Sequence, residues 1–117
     1  MILKFQDLIV WRKAIDLYKQ LTTIINYLPK EEVECLGYQL KKSALAISTN
    51  IASGTGRGSN QNFRYFLLIA LGNLKEVESG IILVSELKYL DLETSNTINL
   101  KIKEIERMLN SLIEKID

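Results

Sequence analysis

Histidine is absent from this sequence of 117 residues, and cysteine and proline occur once each, as Cys35 and Pro29. Histidine is the commonest metal ligand and the usual general base, so both kinds of site lack their main component. One cysteine forms no intrachain disulfide, and without histidine it forms neither a Cys-His nucleophile nor a zinc site. We therefore predict a non-enzymatic protein with no catalytic residue, metal site or cofactor. Cys35 is interpreted as a small apolar residue at a helix start.

Long apolar runs are also missing. The longest uninterrupted run has about six residues, 66–71, whereas a membrane span needs roughly 20. The N-terminal sequence MILKFQDL lacks the basic region, apolar run and cleavage site of a secretory signal. A lone cysteine is typical of a reducing compartment. These features predict a cytoplasmic protein that makes no contact with a membrane.

Acidic residues are missing from the middle of the chain, although the net charge of the whole chain is only +1. No Asp or Glu lies between Glu34 and Glu76, whereas five basic residues do: Lys41, Lys42, Arg57, Arg64 and Lys75. Basic side chains neutralise phosphates, so we consider each of the five a candidate nucleic-acid contact. The alternative is an ordinary solvated surface. Glu76 is the nearby acid that we expect within reach of Arg57 or Arg64.

The glycine-rich loop SGTGRGSN, residues 53–60, leaves two interpretations open. A dinucleotide-binding fingerprint needs a glycine where Ser59 stands, and no register supplies the Gly-Lys-Ser/Thr of a Walker A loop. The loop is therefore an ordinary turn between helices, or a generic anion site built from glycine amides, Arg57 and the next helix N-terminus. The carboxylate pairs Glu76/Glu78 and Glu104/Glu106 point to opposite sides of a helix, which favours solvated faces or interhelical salt bridges.

Apolar residues recur at spacings of three and four, which is typical of helices. The first helix is predicted from Asp7, as N-cap, to Leu28, since Pro29 follows. The second begins between Glu31 and Leu36 and ends at the glycines of 54–58. The third begins after Ser59 as N-cap. The fourth follows a turn capped by one of three residues, Asp91, Thr94 or Ser95.

The first helix carries two adjacent apolar seams, which together are wider than one partner helix covers. One seam contains Leu8, Trp11, Ile15, Tyr18 and Ile25, and the other Ala14, Leu17, Leu21, Ile24 and Leu28. The third helix contains Gly72 and Gly80, where small size allows another helix to approach closely. We expect an oligomer whose candidate interface residues are Trp11, Tyr18, Gly72 and Gly80.

The pattern repeats strictly in the later helices, with apolar positions 63, 67, 70, 74, 77, 81 and 84 in the third and 98, 102, 105, 109, 112 and 116 in the fourth. This alternation is the signature of bundle packing. Long helices with short turns predict an all-α fold, an antiparallel up-down-up-down four-helix bundle that forms a single domain over residues 1–117.

Three segments resemble a known family: FQDLIVWRKAIDL, QLKKSALAISTNIASGTGR and FLLIALGNLKEVESGI. They are similar to bacterial four-helix proteins encoded in intervening sequences of 23S ribosomal RNA genes. That family also resembles Avd, the accessory protein of diversity-generating retroelements. The resemblance implies a ring-shaped homopentamer and, for Avd-like members, binding of nucleic acid and a reverse transcriptase. Two residues depart from the family pattern: Ser53 replaces a glutamate, which leaves Arg57 freer, and Asn73 replaces a serine.

Together these observations predict a homo-oligomeric bundle that acts as a nucleic-acid-binding accessory factor. Its expected partners are further copies of the chain, RNA or DNA, and a protein such as a reverse transcriptase. The alternative is a structural scaffold that binds a protein partner and has no nucleic-acid role.

Overall fold

The computed structural model describes residues 3–116, in which four main helices and no strand occur. α1 spans Ile9–Ile25. α2 is a continuous helical segment, 30–55, made of Lys30–Glu32, a π-helical turn Val33–Gly37, and Tyr38–Thr55. α3 spans Asn60–Glu86 and α4 spans Leu92–Lys115. The predicted all-α fold with four helices is confirmed.

Contacts between neighbouring helices join the start of one helix to the end of the other. Gly80, near the end of α3, lies against Leu40 in the first half of α2. Ser85 Oγ, at the end of α3, is 2.6 Å from Ser95 Oγ at the start of α4. α1 packs on both α2 and α4. These contacts are compatible with the predicted antiparallel arrangement, and the molecule is 46 Å long with cross-dimensions of 23 and 19 Å.

The core follows the predicted spacing. In α3 all seven predicted apolar positions are buried. In α4 the buried residues are Ile98, Ile102, Ile105, Leu109 and Ile113. Ile113 therefore replaces the predicted Leu112, because a straight helix with 3.6 residues per turn drifts away from a strict seven-residue repeat.

The two seams of α1 have different environments. All five residues of the second seam are buried, whereas most of the first, including Trp11, Ile15 and Tyr18, is only half-buried. The protomer thus covers one seam of α1 fully and leaves the other partly accessible.

Helix caps show where local sequence decides the boundaries. Ser59 and Asp91 are N-caps, and their side chains accept hydrogen bonds from backbone N–H groups of the following turn, as predicted. Asp7 is not an N-cap. It ends a short 3-10 turn, Phe5–Asp7, and α1 begins two residues later. Leu8 occupies the N-cap position, and its side chain forms no capping hydrogen bond.

The ends of the first loop also differ from the prediction. α1 ends at Ile25 rather than Leu28, because the backbone turns there before Pro29. In the part of the chain that is described, no helix combines the length and apolarity that crossing a bilayer would require.

Candidate nucleic-acid and subunit interfaces

The five predicted nucleic-acid contacts do not form one patch. Lys41 and Lys42 lie in the first half of α2, whereas Arg57 lies in the turn after α2 and Arg64 in the first turns of α3. At 1.5 Å per residue, about 20 Å of helix separates the lysine pair from Arg57. Lys75 lies midway along α3. The structure therefore divides the set into a lysine pair, an arginine pair and one isolated lysine.

Lys75 is engaged in a network of four charges between α3 and α4. Its Nζ lies 3.1 Å from Glu106 and 3.2 Å from Glu78, and Lys103 Nζ lies 2.8 Å from Glu78. The hydrogen bonds from the lysines lower the pKa of both glutamates and raise the pKa of both lysines. The expected interhelical salt bridges are thus present, and the positive charge of Lys75 is compensated within the protomer.

The other four cations have no such compensation. Over residues 3–116, no carboxylate lies within salt-bridge distance of Lys41, Lys42, Arg57 or Arg64, and all four are exposed. Their charge is available to a partner.

Arg57 is held in place by neutral groups. Its Nε and Nη2 donate to Ser53 Oγ at 3.2 and 2.9 Å, and its guanidinium lies 4.5 Å from the centre of the Phe66 ring. The expected contact with Glu76 is absent, because Glu76 lies 16 residues beyond the start of α3, about 24 Å of helix from the turn that holds Arg57. Glu76 instead accepts a hydrogen bond from Asn73 Nδ2 at 3.1 Å. Asn73 Oδ1 in turn accepts one from Asn50 at 2.9 Å. Arg57 is thus positioned without being neutralised.

Sequence reasoning missed two cations, Arg12 and Lys19, because they lie outside the acid-free segment. They are seven residues apart on α1 and therefore lie on the same side of the helix. Together with the half-buried seam they form what we call the aromatic strip of α1, defined by residues Leu8, Trp11, Arg12, Ile15, Tyr18, Lys19 and Thr22. None of these seven is acidic. A helical-wheel view of charge in α1 would have revealed the strip.

Trp11 is the largest side chain of the aromatic strip. Its ring packs edge-on against Phe5 at 5.0 Å between centroids, and Arg12 lies 5.0 Å from the Trp11 ring. The side chain is therefore oriented by Phe5 beside it and by Arg12 over its ring, while remaining partly accessible.

The two candidate interface glycines have different surroundings. A Cβ at Gly80 would lie 2.6 Å from Leu40 Cδ2, so Gly80 allows α2 to approach α3 within the protomer. A Cβ at Gly72 would meet nothing within 4 Å. An exposed glycine inside a helix costs about 1 kcal/mol relative to alanine. No contact among the described residues explains Gly72, whereas its place at a subunit interface stays a prediction.

Cys35 is exposed in the π-helical turn, so its interpretation as an apolar filler was wrong.

Among the described residues no group of three or more acidic or cysteine side chains is arranged to hold a metal ion. A mainly apolar groove of about 470 Å³ lies between the start of α1 and the end of α4, lined by Leu8, Ile9, Val10, Met108 and Leu112 among others.

Comparisons with known proteins agree with this architecture. The sequence model of the 23S rRNA-intervening sequence protein family matches residues 6–111. A crystal structure of a protein with unknown function, from the S23 ribosomal protein family and from Bacteroides thetaiotaomicron VPI-5482, superposes with a TM-score of 0.84. The two sequences are 26% identical, and the match covers 92% of this chain and all of that one. No curated protein matches the chain significantly.

Proposed function

Because the chain belongs to the 23S rRNA-intervening sequence protein family, we propose that it is a non-enzymatic, homo-oligomeric accessory factor that binds nucleic acid. The observation that supports binding most directly is the set of four exposed cations without carboxylate partners. Positive side chains that are not neutralised by the protein are the groups that exchange counterions for phosphates. The cytoplasm is its expected location.

The oligomer is central to this proposal, because one protomer with net charge +1 produces only a weak electrostatic attraction for nucleic acid. A homopentamer, the assembly implied by the family resemblance, repeats the lysine pair and the arginine pair five times around one ring. Contacts that are linked in this way add up to a high avidity when one strand engages several of them. A pentamer of the 13.4 kDa chain has a mass of about 67 kDa, which light scattering resolves from a monomer.

The test is fluorescence anisotropy with labelled single-stranded and duplex RNA and DNA, titrated at low salt. Replacing Lys41 and Lys42 by glutamine should weaken binding and reduce the slope of log affinity against log salt by about 2 for each protomer that contacts the duplex. The matched control changes Lys75 and Lys103 to glutamine, which removes the same charge from compensated sites. Equal losses in both variants, or no binding by the wild type, would contradict the proposal.

Arg57 offers a second, finer test. Ser53→Glu places a carboxylate at the position whose hydroxyl already accepts hydrogen bonds from Arg57, where it forms a salt bridge. We expect this variant to bind nucleic acid more weakly than Ser53→Gln, which has the same shape without the charge. Equal affinity of the two variants would show that Arg57 does not contribute to nucleic-acid binding.

The alternative function is a scaffold for a protein partner, with a reverse transcriptase as the candidate that the Avd resemblance suggests. It predicts a stable complex with one protein and an affinity for nucleic acid that does not depend on the lysine or arginine pairs. Pull-down with the partner, followed by the same anisotropy series on the complex, separates the two functions.

A further inference from the structure

The outward side of α3 has a gap in its row of side chains at Gly72, and we call this gap the hollow. The glycine is exposed and has open space where a side chain would stand. Leu68 and Tyr65, about one and two turns earlier, are 44% and 60% exposed. Glu76 follows one turn later, and its recorded hydrogen bond comes from neutral Asn73. We call Tyr65, Leu68, Gly72 and Glu76 the Gly72 surface.

The aromatic strip of α1 has the complementary properties. It presents partly accessible apolar side chains, Trp11, Ile15 and Tyr18, where the Gly72 surface presents exposed apolar ones and a hollow. Its cations are Arg12 and Lys19, and within the described range neither forms a salt bridge with Asp16, which lies one turn from each, whereas the Gly72 surface carries a carboxylate. Over the described residues neither Arg12 nor Glu76 has a salt-bridge partner.

The two surfaces also lie at similar heights along the bundle. On α4, Glu104 pairs with Lys13 of α1 at 3.3 Å, and Glu106 pairs with Lys75 of α3 at 3.1 Å. Residues two apart on a helix differ in height by about 3 Å. Lys13 and Lys75 therefore lie within about one helical turn of the same height.

Trp11 precedes Lys13 by two residues, and Gly72 precedes Lys75 by three, on helices that run in the same direction. Trp11 and Gly72 are thus level to within about a turn. In a ring whose symmetry axis runs along the bundles, rotation without translation brings together residues of equal height on neighbouring copies.

We propose that the aromatic strip of one copy docks on the Gly72 surface of the next, with Trp11 entering the hollow at Gly72 and Arg12 opposite Glu76. This inference rests on the homo-oligomer of the proposed function and assigns its contact. Because the two surfaces differ, the contact is heterologous, and the ring of the proposed function requires that the rotation between neighbouring copies closes.

The first experiment uses Gly72→Gln, which fills the hollow without disturbing any contact inside the protomer. Its matched control is Asn110→Gln, at an exposed position of α4. We expect light scattering at tens of micromolar to give the wild-type mass for the control and the monomer mass for Gly72→Gln. Circular dichroism should show the same helicity in all three. A Gly72→Gln protein that keeps the wild-type mass would overturn the proposal.

The second experiment exchanges charges. Arg12→Glu and Glu76→Arg should each weaken the assembly at least tenfold in dissociation constant, and the double variant should recover most of that loss. If the losses of the two single variants simply add in the double variant, Arg12 and Glu76 do not face each other and the proposed docking is wrong.

Mixing identifies the type of contact. Arg12→Glu keeps an intact Gly72 surface, and Gly72→Gln keeps an intact aromatic strip, so an equimolar mixture should form a one-to-one dimer that cannot grow. A mixture that stays monomeric would contradict a heterologous contact. A monomeric wild type would instead refute the oligomer of the proposed function, whereas an oligomeric wild type with unaffected variants refutes only this docking.

Discussion

Substitution of Gly80 by alanine has an effect that depends on a single neighbour. The new methyl group would lie 2.6 Å from Leu40 Cδ2 and 3.3 Å from its Cγ, and Leu40 is only 3% exposed. Overpacking of this kind costs about 1–3 kcal/mol. Alanine in place of glycine in a helix gains about 1 kcal/mol. We therefore expect Gly80→Ala to lower the free energy of unfolding by about 1 kcal/mol.

The same substitution should have the opposite sign when Leu40 is already alanine. Leu40→Ala alone costs about 2–5 kcal/mol, because it leaves a cavity in the core. In that background the methyl group at position 80 meets no side chain, so Gly80→Ala should raise the free energy of unfolding by about 1 kcal/mol.

Urea unfolding of the four proteins at one protein concentration completes this double-mutant cycle. A fixed concentration is required because the proposed assembly would contribute to apparent stability. The reasoning is refuted if Gly80→Ala changes the free energy of unfolding by the same amount in both backgrounds, since the contact with Leu40 would then carry no energy.

Three further predictions concern the turns and the charge network. Gly58 has φ +81°, so Gly58→Ala should cost about 1 kcal/mol in urea unfolding. Gly56→Ala, whose Cβ would meet only an atom 3.7 Å away, should be close to neutral; equal effects would contradict this argument. Asp91→Ala should lower the free energy of unfolding by about 1 kcal/mol through loss of the N-cap, whereas Asp91→Asn should keep most of the stabilisation that the cap provides. The lowered pKa values of Glu78 and Glu106 mean that their stabilisation is present above the unfolded value of 4.5 and is lost as pH falls through the folded values. Acid titration followed by circular dichroism should therefore show a shallower loss of stability in the Glu78→Gln/Glu106→Gln variant, and an unchanged profile would speak against the network.

The sequence predicted the helices well, because burial in a bundle imposes its own period on the chain. All seven apolar positions of α3 are buried, and the glycines and Ser59 mark the turn before it. Helix boundaries that depend on tertiary packing could not be predicted from the sequence. Asp7 has the chemistry of an N-cap, yet packing of Phe5 on Trp11 accompanies a 3-10 turn that places Leu8 at that position.

The candidate site was predicted as a list of cations but not as a surface. Charge pairing between helices depends on their rotation and relative height, which the sequence does not state. Lys75 is compensated because Glu106 lies opposite it, 31 residues further along the chain. Arg12 and Lys19 join no cluster in the sequence, and they become part of one surface only because a helix brings every seventh residue to the same side.

The exposure of Cys35 gives each chain one site for chemical labelling, which allows the proposed assembly to be counted. As the chain has no other thiol, a maleimide dye attaches at one position per copy, on the π-helical turn near one end of the bundle. Stepwise photobleaching of single labelled particles then counts the copies directly. Energy transfer between dyes on neighbouring copies reports how far apart their ends lie, without altering either of the proposed contact surfaces.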